Sequence, residues 1–149
     1  MTSDRMKLSG FFLMFASLAA VFTFSMTLAY AAADDVKDAW VAPADAAKVA
    51  NPVAADQKSA DQGKKIYTGK CLSCHGSQGK GDGPMMKVLK KKPSDLTSAD
   101  VAAETDGALF YKITKGQKPM PTFAKSLTDK ERWTVVNYIR SLNKSADKK

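Results

Sequence analysis

Three features of this 149-residue chain predict an all-α domain. Val135, Tyr138, Ile139 and Leu142 stand at offsets 0, 3, 4 and 7, the helical period. Two stretches open on capping-box signatures, Ser59-x-x-Gln62 and Thr128-x-x-Glu131. No stretch alternates apolar and polar residues as a half-buried strand would.

From the N-terminus, Arg5 and Lys7 precede an apolar run from Leu8 to Leu28 that holds five of the seven Phe. Ala29-Tyr30-Ala31 and Ala32-Ala33 follow, small-residue sites suited to signal peptidase. Residues 1–31 therefore read as an export signal. An uncleaved anchor is the rival, since the run exceeds the usual signal core of roughly 7–15 residues and about 20 suffice to span a bilayer. Either way the basic residues before the run send the remainder across a membrane, to the periplasm in a bacterium, where oxidised thiols persist. Residues 32–58 read as a partly ordered arm rich in Ala, Asp and Pro (Pro43, Pro52), with a flexible linker and an arm that packs its aromatic residue, Trp40, back on the domain as the two limiting readings. The folded domain is expected over 59–143, and 144–149 as a charged tail.

Within the domain a first helix is expected from Ser59 to the cysteines, carrying Gly63, Ile66, Tyr67 and Lys70 near one face. A loop with Gly76, Gly79, Gly81 and Gly83 follows, and then a short helical turn over Met85–Leu89, ended by Lys90-Lys91-Lys92-Pro93. A further helix is expected from Asp106 to about Thr114, stopped by Gly116. The last begins at Thr128. A domain near 80 residues ordinarily needs a staple, because below roughly 70–80 residues one core stabilises too little. Two Cys make no disulfide scaffold and no four-Cys zinc site, and the single His rules out sites that need two.

Cys71-Leu72-Ser73-Cys74-His75 is C-x-x-C-H, the c-type haem attachment pattern. Each thiol can add to one porphyrin vinyl group, and the next residue, His75, can then bind the iron. The apolar disc would supply the missing core. A thioredoxin-type pair needs a βαβ context that is absent, and zinc needs more ligands than this chain offers. With one His, the iron's sixth position falls to a methionine or stays open. Met85 and Met86 sit in an amphipathic stretch and read as packing. Met120, in Lys118-Pro119-Met120-Pro121, lies between two prolines that stiffen the backbone, 45 residues beyond His75. A role as core gap-filler and an open sixth position both remain alternatives.

From Ser59 to Leu142 the chain resembles the class I monohaem cytochromes c, bacterial and exported. The resemblance rests on Gly63, Ile66 and Tyr67 facing Val135, Tyr138 and Ile139, on Cys71, Cys74 and His75, on Gly83-Pro84, and on Met120. It implies a cytochrome c fold, three to five helices around one covalently attached haem c. Cys71 and Cys74 would hold it, with His75 the proximal and Met120 the distal iron ligand. It implies that the Pro84 carbonyl accepts the His75 N–H, and that Trp133 matches bacterial members. Gly-Asp-Gly-Pro and Lys-Pro-Ser-Asp-Leu recur there without an evident role. The activity implied is electron transfer, not catalysis, since an iron with every position filled has no place for substrate. A haem-bearing module of a larger membrane-associated complex, and a ligand-binding haem protein, are the alternatives.

Charge suggests the partners. The chain carries +8 overall, yet residues 34–62 hold three Lys and six Asp, whereas 63–149 hold 18 Lys+Arg against 8 Asp+Glu. Lys87, Lys90, Lys91, Lys92, Lys112, Lys115, Lys118 and Lys125 flank the candidate haem segments and would steer the chain to redox donors and acceptors with acidic docking surfaces. Solvated lysines without a partner are the plainer reading. Nucleic acid does not fit the compartment, and a membrane enters only through an uncleaved anchor or a membrane complex.

Overall fold

A computed structural model describes residues 40–146, with the side chains of 144–146 left out. The expected export segment, residues 1–31, lies outside the described residues, as do 32–39 of the arm and the last three residues of the tail. Among the described residues no helix is long and apolar enough to cross a membrane.

Residues from Val41 onward form one compact unit. It holds six α-helices: α1 (Ala44–Ala47), α2 (Gln57–Lys70), α3 (Leu72–His75), α4 (Ala99–Ala103), α5 (Asp106–Lys115) and α6 (Asp129–Ala146), with a 3₁₀ turn at Pro84–Val88 between α3 and α4. Among the described residues there is no strand; one antiparallel bridge joins Gln117 to Met120. The helices beyond the expected number are α1, α3 and α4, each four or five residues long, too short for a period to show in sequence.

α2 begins two residues earlier than its Ser59-x-x-Gln62 signature suggests. Asp56 is the cap, its carboxylate accepting the Ser59 N–H at 2.7 Å. That bond also holds the Asp56 carboxyl below the usual range. Ser59 is spent otherwise: buried, its hydroxyl donates to the Ala54 carbonyl at 2.6 Å. At α6 the expected box does form. The Thr128 N–H donates to the Glu131 carboxylate at 2.7 Å, and the Glu131 N–H donates back to Thr128 Oγ1 at 3.3 Å. α5 is capped by Thr105 and stops at Gly116, whose φ of 64° is a left-handed conformation that glycine accepts without strain.

α2 and α6 are the main packed pair. Gly63 makes their crossing close: a Cβ there would stand 2.0 Å from the Thr134 carbonyl oxygen. Beside it the Tyr67 and Tyr138 rings meet at 5.0 Å between centroids, tilted by 58°. The core then spreads to α4 and α5 through Val101, Leu109, Ile113, Phe123, Leu127, Trp133, Val135, Val136 and Ile139.

Of the expected arm, the part from Val41 is ordered. Residues 41–58 pack as part of the unit, so the folded domain starts well before Ser59. Ala42 is buried, the Thr105 hydroxyl donates to the Ala47 carbonyl at 2.7 Å, and Asn51 Nδ2 donates to Asn137 Oδ1 at 2.8 Å. Val53 packs against the core, and buried Asn137 finds partners in the Asn51 side chain and the Val53 and Ala54 carbonyls.

Candidate functional site

Cys71 ends α2 and begins α3. The Cys71 carbonyl accepts N–H groups from Cys74 at 3.1 Å and His75 at 2.9 Å, so C-x-x-C-H closes into one helical turn. Residues three apart on such a turn share a side, which brings both thiols together, and neither is in a disulfide. Burial, then the neighbouring Cys74, push the Cys71 thiol up to about 11, so it stays protonated near neutral pH.

His75 lies 3.2 Å from the Ser94 carbonyl through Nδ1. A carbonyl can only accept, so Nδ1 carries the proton and Nε2 is left with its lone pair for a metal. Burial lowers the imidazole's pKa, and the Ser94 contact opposes it. This corrects the expectation that Pro84 would be the acceptor. Pro84 opens the 3₁₀ turn instead.

The two loop segments whose role the sequence left open form the support of this histidine. The Gly81 N–H donates to the His75 carbonyl at 2.8 Å and the Gly83 N–H to Cys74 at 3.1 Å. A Cβ on Gly81 would lie 2.2 Å from the Pro93 carbonyl, so Gly-Asp-Gly-Pro and Lys-Pro-Ser-Asp-Leu press against each other. The Leu96 N–H then donates to Gly79 at 2.6 Å, which fixes Ser94 two residues before it.

Met120 is half-buried against the core, on a separate loop between α5 and α6. The Met120 N–H donates to the Gln117 carbonyl at 2.8 Å, and the loop folds back on α5 through Thr122 to Thr114 at 2.6 Å and Phe123 to Ile113 at 3.3 Å. Buried Arg132, which the sequence reading passed over, holds the next segment: its guanidinium donates to Leu127 at 3.0 Å and Phe123 at 3.3 Å and lies 5.1 Å over the Phe110 ring. Its place among Asp129, Lys130 and Glu131 on a charged helix start gave no sign of burial. Met85 and Met86 do not pack as expected; they are 45% and 38% exposed. The 3₁₀ turn is too short to turn both inward.

The residues present fit a covalently held porphyrin. Two free thiols and an imidazole share one turn, and a thioether stands on a second, pinned loop. The segment around them also lacks a core of its own. Between Tyr67 and Val101 the only buried residues are Gly76, Gly79, Gly81 and Gly83, while Cys71, Leu72, Cys74, His75, Leu89 and Leu96 are half-buried. Among the described residues no group of three or more His, Cys, Asp or Glu could hold a bare metal ion. The cavity between residues 47–55 and Thr105–Asp106 touches none of the four candidates.

Residues 58–139 match the family model described as cytochrome C oxidase, cbb3-type, subunit III. Cytochrome c6 of Bumilleriopsis filiformis is 30% identical over 83 residues, which are 54% of this chain and 88% of that one. Cytochrome c6 of Porphyra purpurea is 32% identical over 83 residues, 54% of this chain and 69% of that one. Among solved structures, a chain of the Kuenenia stuttgartiensis reducing HAO-like protein complex Kustc0457/Kustc0458 superposes with a TM-score of 0.55 at 33% identity, over 61% of this chain and 46% of that one.

Proposed function

Because the chain belongs to the c-type cytochrome family, as a class I monohaem member with one covalently attached haem c, we propose that it is a periplasmic shuttle moving single electrons between redox proteins. Cys71 and Cys74 are the attachment thiols, His75 the proximal ligand and Met120 the distal one. One observation carries the assignment of residues: the two unbridged thiols and the imidazole lie on a single turn, with Nδ1 held by Ser94 so that Nε2 is the free nitrogen.

When bound, the haem supplies reversible one-electron Fe(III)/Fe(II) chemistry. The chain's own residues do the rest. Ser94 fixes the ring plane and tautomer of His75, and a held ligand limits rearrangement between the two oxidation states. The Met120 thioether would serve as a soft donor, of the kind that favours reduced iron and raises the potential. Its loop, tied to α5 and flanked by the Arg132 contacts, keeps that weak donor in place. If His75 and Met120 both held the iron, no position would remain on it for a substrate, which supports a carrier over an enzyme.

The test is the visible spectrum of the oxidised protein. Met120→Ala is expected to lose the weak absorption near the red end that a methionine–iron bond gives; an unchanged spectrum overturns Met120 as ligand. A second reading, a haem module held in a larger assembly, draws on the neighbour that is itself part of a complex. Intact mass separates them: the shuttle has lost about 31–33 N-terminal residues, by cleavage after Ala31 or Ala33, whereas an anchored module keeps them.

A further inference from the structure

We propose that α6 sets the positions of both candidate iron ligands through two arginines, Arg132 for Met120 and Arg140 for His75; the proposal rests on the ligand assignment above and names the positioning residues behind it. Both arginines act on main-chain carbonyls. Buried Arg132 donates through Nη1 to Phe123 at 3.3 Å and Leu127 at 3.0 Å. Phe123 is the third residue after Met120, and its N–H is held by the Ile113 carbonyl of α5 at 3.3 Å. The stretch that follows Met120 is thus gripped from α5 and α6 together. Arg140 stands eight residues later, about 12 Å further along the same helix. It donates to the carbonyls of Val101 at 3.3 Å, Ala102 at 3.1 Å and Glu104, and its Nε donates to the Asp106 carboxylate at 2.8 Å. Those carbonyls close α4, and short bonds lead from α4 back to the histidine. Ser98 caps α4 by accepting the Val101 N–H at 3.3 Å, and its own N–H donates to the Asp95 carbonyl at 3.2 Å. The Asp95 carboxylate accepts the Thr97 N–H at 2.8 Å and the Thr97 hydroxyl at 2.6 Å. Next to Asp95 is Ser94, whose carbonyl holds His75 Nδ1.

Stability alone does not account for these side chains. A buried guanidinium is costly to desolvate, and apolar residues of similar volume often serve a core as well or better. Arg132 is present despite that cost, and its buried Nε has no hydrogen-bond partner among the described residues. What an apolar residue cannot do is hold carbonyls of another segment at a fixed place. Lysine does it poorly, because a single ammonium on a flexible stem replaces a planar fork of N–H donors. α6 is continuous from Asp129 to Ala146, so the separation of the two arginines is fixed by the helix. The segment bearing Met120 and the segment steadying His75 are therefore referred to one rigid element.

The experiment compares Arg132→Lys and Arg140→Lys, which keep the charge and lose the fork, in the haem-loaded protein. Two readouts separate the two sides of the iron. Cyanide affinity of the oxidised protein reports how firmly Met120 is held, since cyanide must displace it. Exchange of the His75 Nδ1 proton, followed by NMR in the reduced protein, reports the Ser94 contact. Arg132→Lys is expected to raise cyanide affinity about tenfold, the loss of one charge-assisted hydrogen bond, and to leave proton exchange within about twofold. Arg140→Lys is expected to speed proton exchange about tenfold and to leave cyanide affinity within about twofold. Asn137→Ala is the control: it lies on α6 between the two arginines and ties residues before α2, so it should lower the thermal midpoint and move neither readout. The two arms are independent, so if one variant does not fold the other must still move its own readout alone. An arginine variant that leaves its own readout unmoved overturns the proposal, as do readouts that move alike in both variants or as far in Asn137→Ala; the ligand assignment then stands. Oxidised wild type without the weak absorption near the red end overturns the ligand assignment itself, and the positioning role with it.

Discussion

Asn137 stands in the middle of the long helix with its amide buried, and every polar atom on it is used. Its Oδ1 accepts from Asn51, and its Nδ2 lies 3.0 Å from both the Ala54 carbonyl and Ser59 Oγ and 3.3 Å from the Val53 carbonyl. One side chain thus ties the residues before α2 to α6. Asn137→Ala removes these bonds and takes from Asn51 Nδ2 and the Val53 carbonyl the partner they have here, at a cost of about 1–3 kcal/mol. The expected result is a fall in midpoint temperature of several degrees in thermal unfolding, with the visible spectrum retained; an unchanged midpoint would show the tether to be idle. None of this was readable from the chain. A lone Asn beside an apolar stripe has the look of a solvent-facing residue, and the helical period places Val135, Tyr138 and Ile139 without saying what lies next to them. Ser94 escaped for a related reason. It acts through its carbonyl, and main-chain groups leave no mark on composition.

At the scale of the helices, Gly63 and Gly69 make a controlled comparison within α2. A Cβ on Gly69 meets nothing within 4 Å, whereas one on Gly63 would lie 2.0 Å from the Thr134 oxygen and 2.9 Å from Tyr138 Cβ. Helix propensity favours Ala over Gly by about 1 kcal/mol at either position. Gly69→Ala should therefore stabilise by roughly that amount. Gly63→Ala must force α2 from α6, and overpacking of about 1–3 kcal/mol or more outweighs the propensity. Urea unfolding of the two variants should move in opposite directions. That crossing was legible, because a glycine in register with apolar neighbours and an apolar stripe on the last helix fit only a close approach. The start of α2 was not. Asp56 and Ser59 each stand three residues before a group they could cap, and the choice was made by the Ala54 carbonyl, which engages the Ser59 hydroxyl and leaves the cap to Asp56.

For the molecule as a whole, the packed helices and the attachment segment are unlike in what holds them. α4, α5, α6 and the loop after α5 share a core of nine buried hydrophobics, and Ile66 of α2 packs against it. Residues 68–100 bury nothing but glycines. Cys71→Ala with Cys74→Ala, which would prevent the proposed covalent attachment, is expected to raise amide hydrogen exchange over 71–98 towards unprotected rates while α2 and α6 keep part of their protection. Equal protection with and without attachment would show that the segment holds itself. The need for a staple was visible from domain size and the spacing of Cys71, Cys74 and His75, whereas the contacts of residues 41–58 were not: Trp40 suggested an arm that meets the domain, but a stretch of Ala, Pro and Asp has no apolar period to read. One feature of the attachment segment bears on how such a chain can drift over generations. The oxygen that steadies His75 belongs to the peptide unit of Ser94, and every amino acid brings one. Side chains at position 94 are thus free to vary, but an inserted or deleted residue between Gly76 and Ser94 would carry that oxygen away, so the length of this stretch, more than its spelling, is what inheritance has to guard.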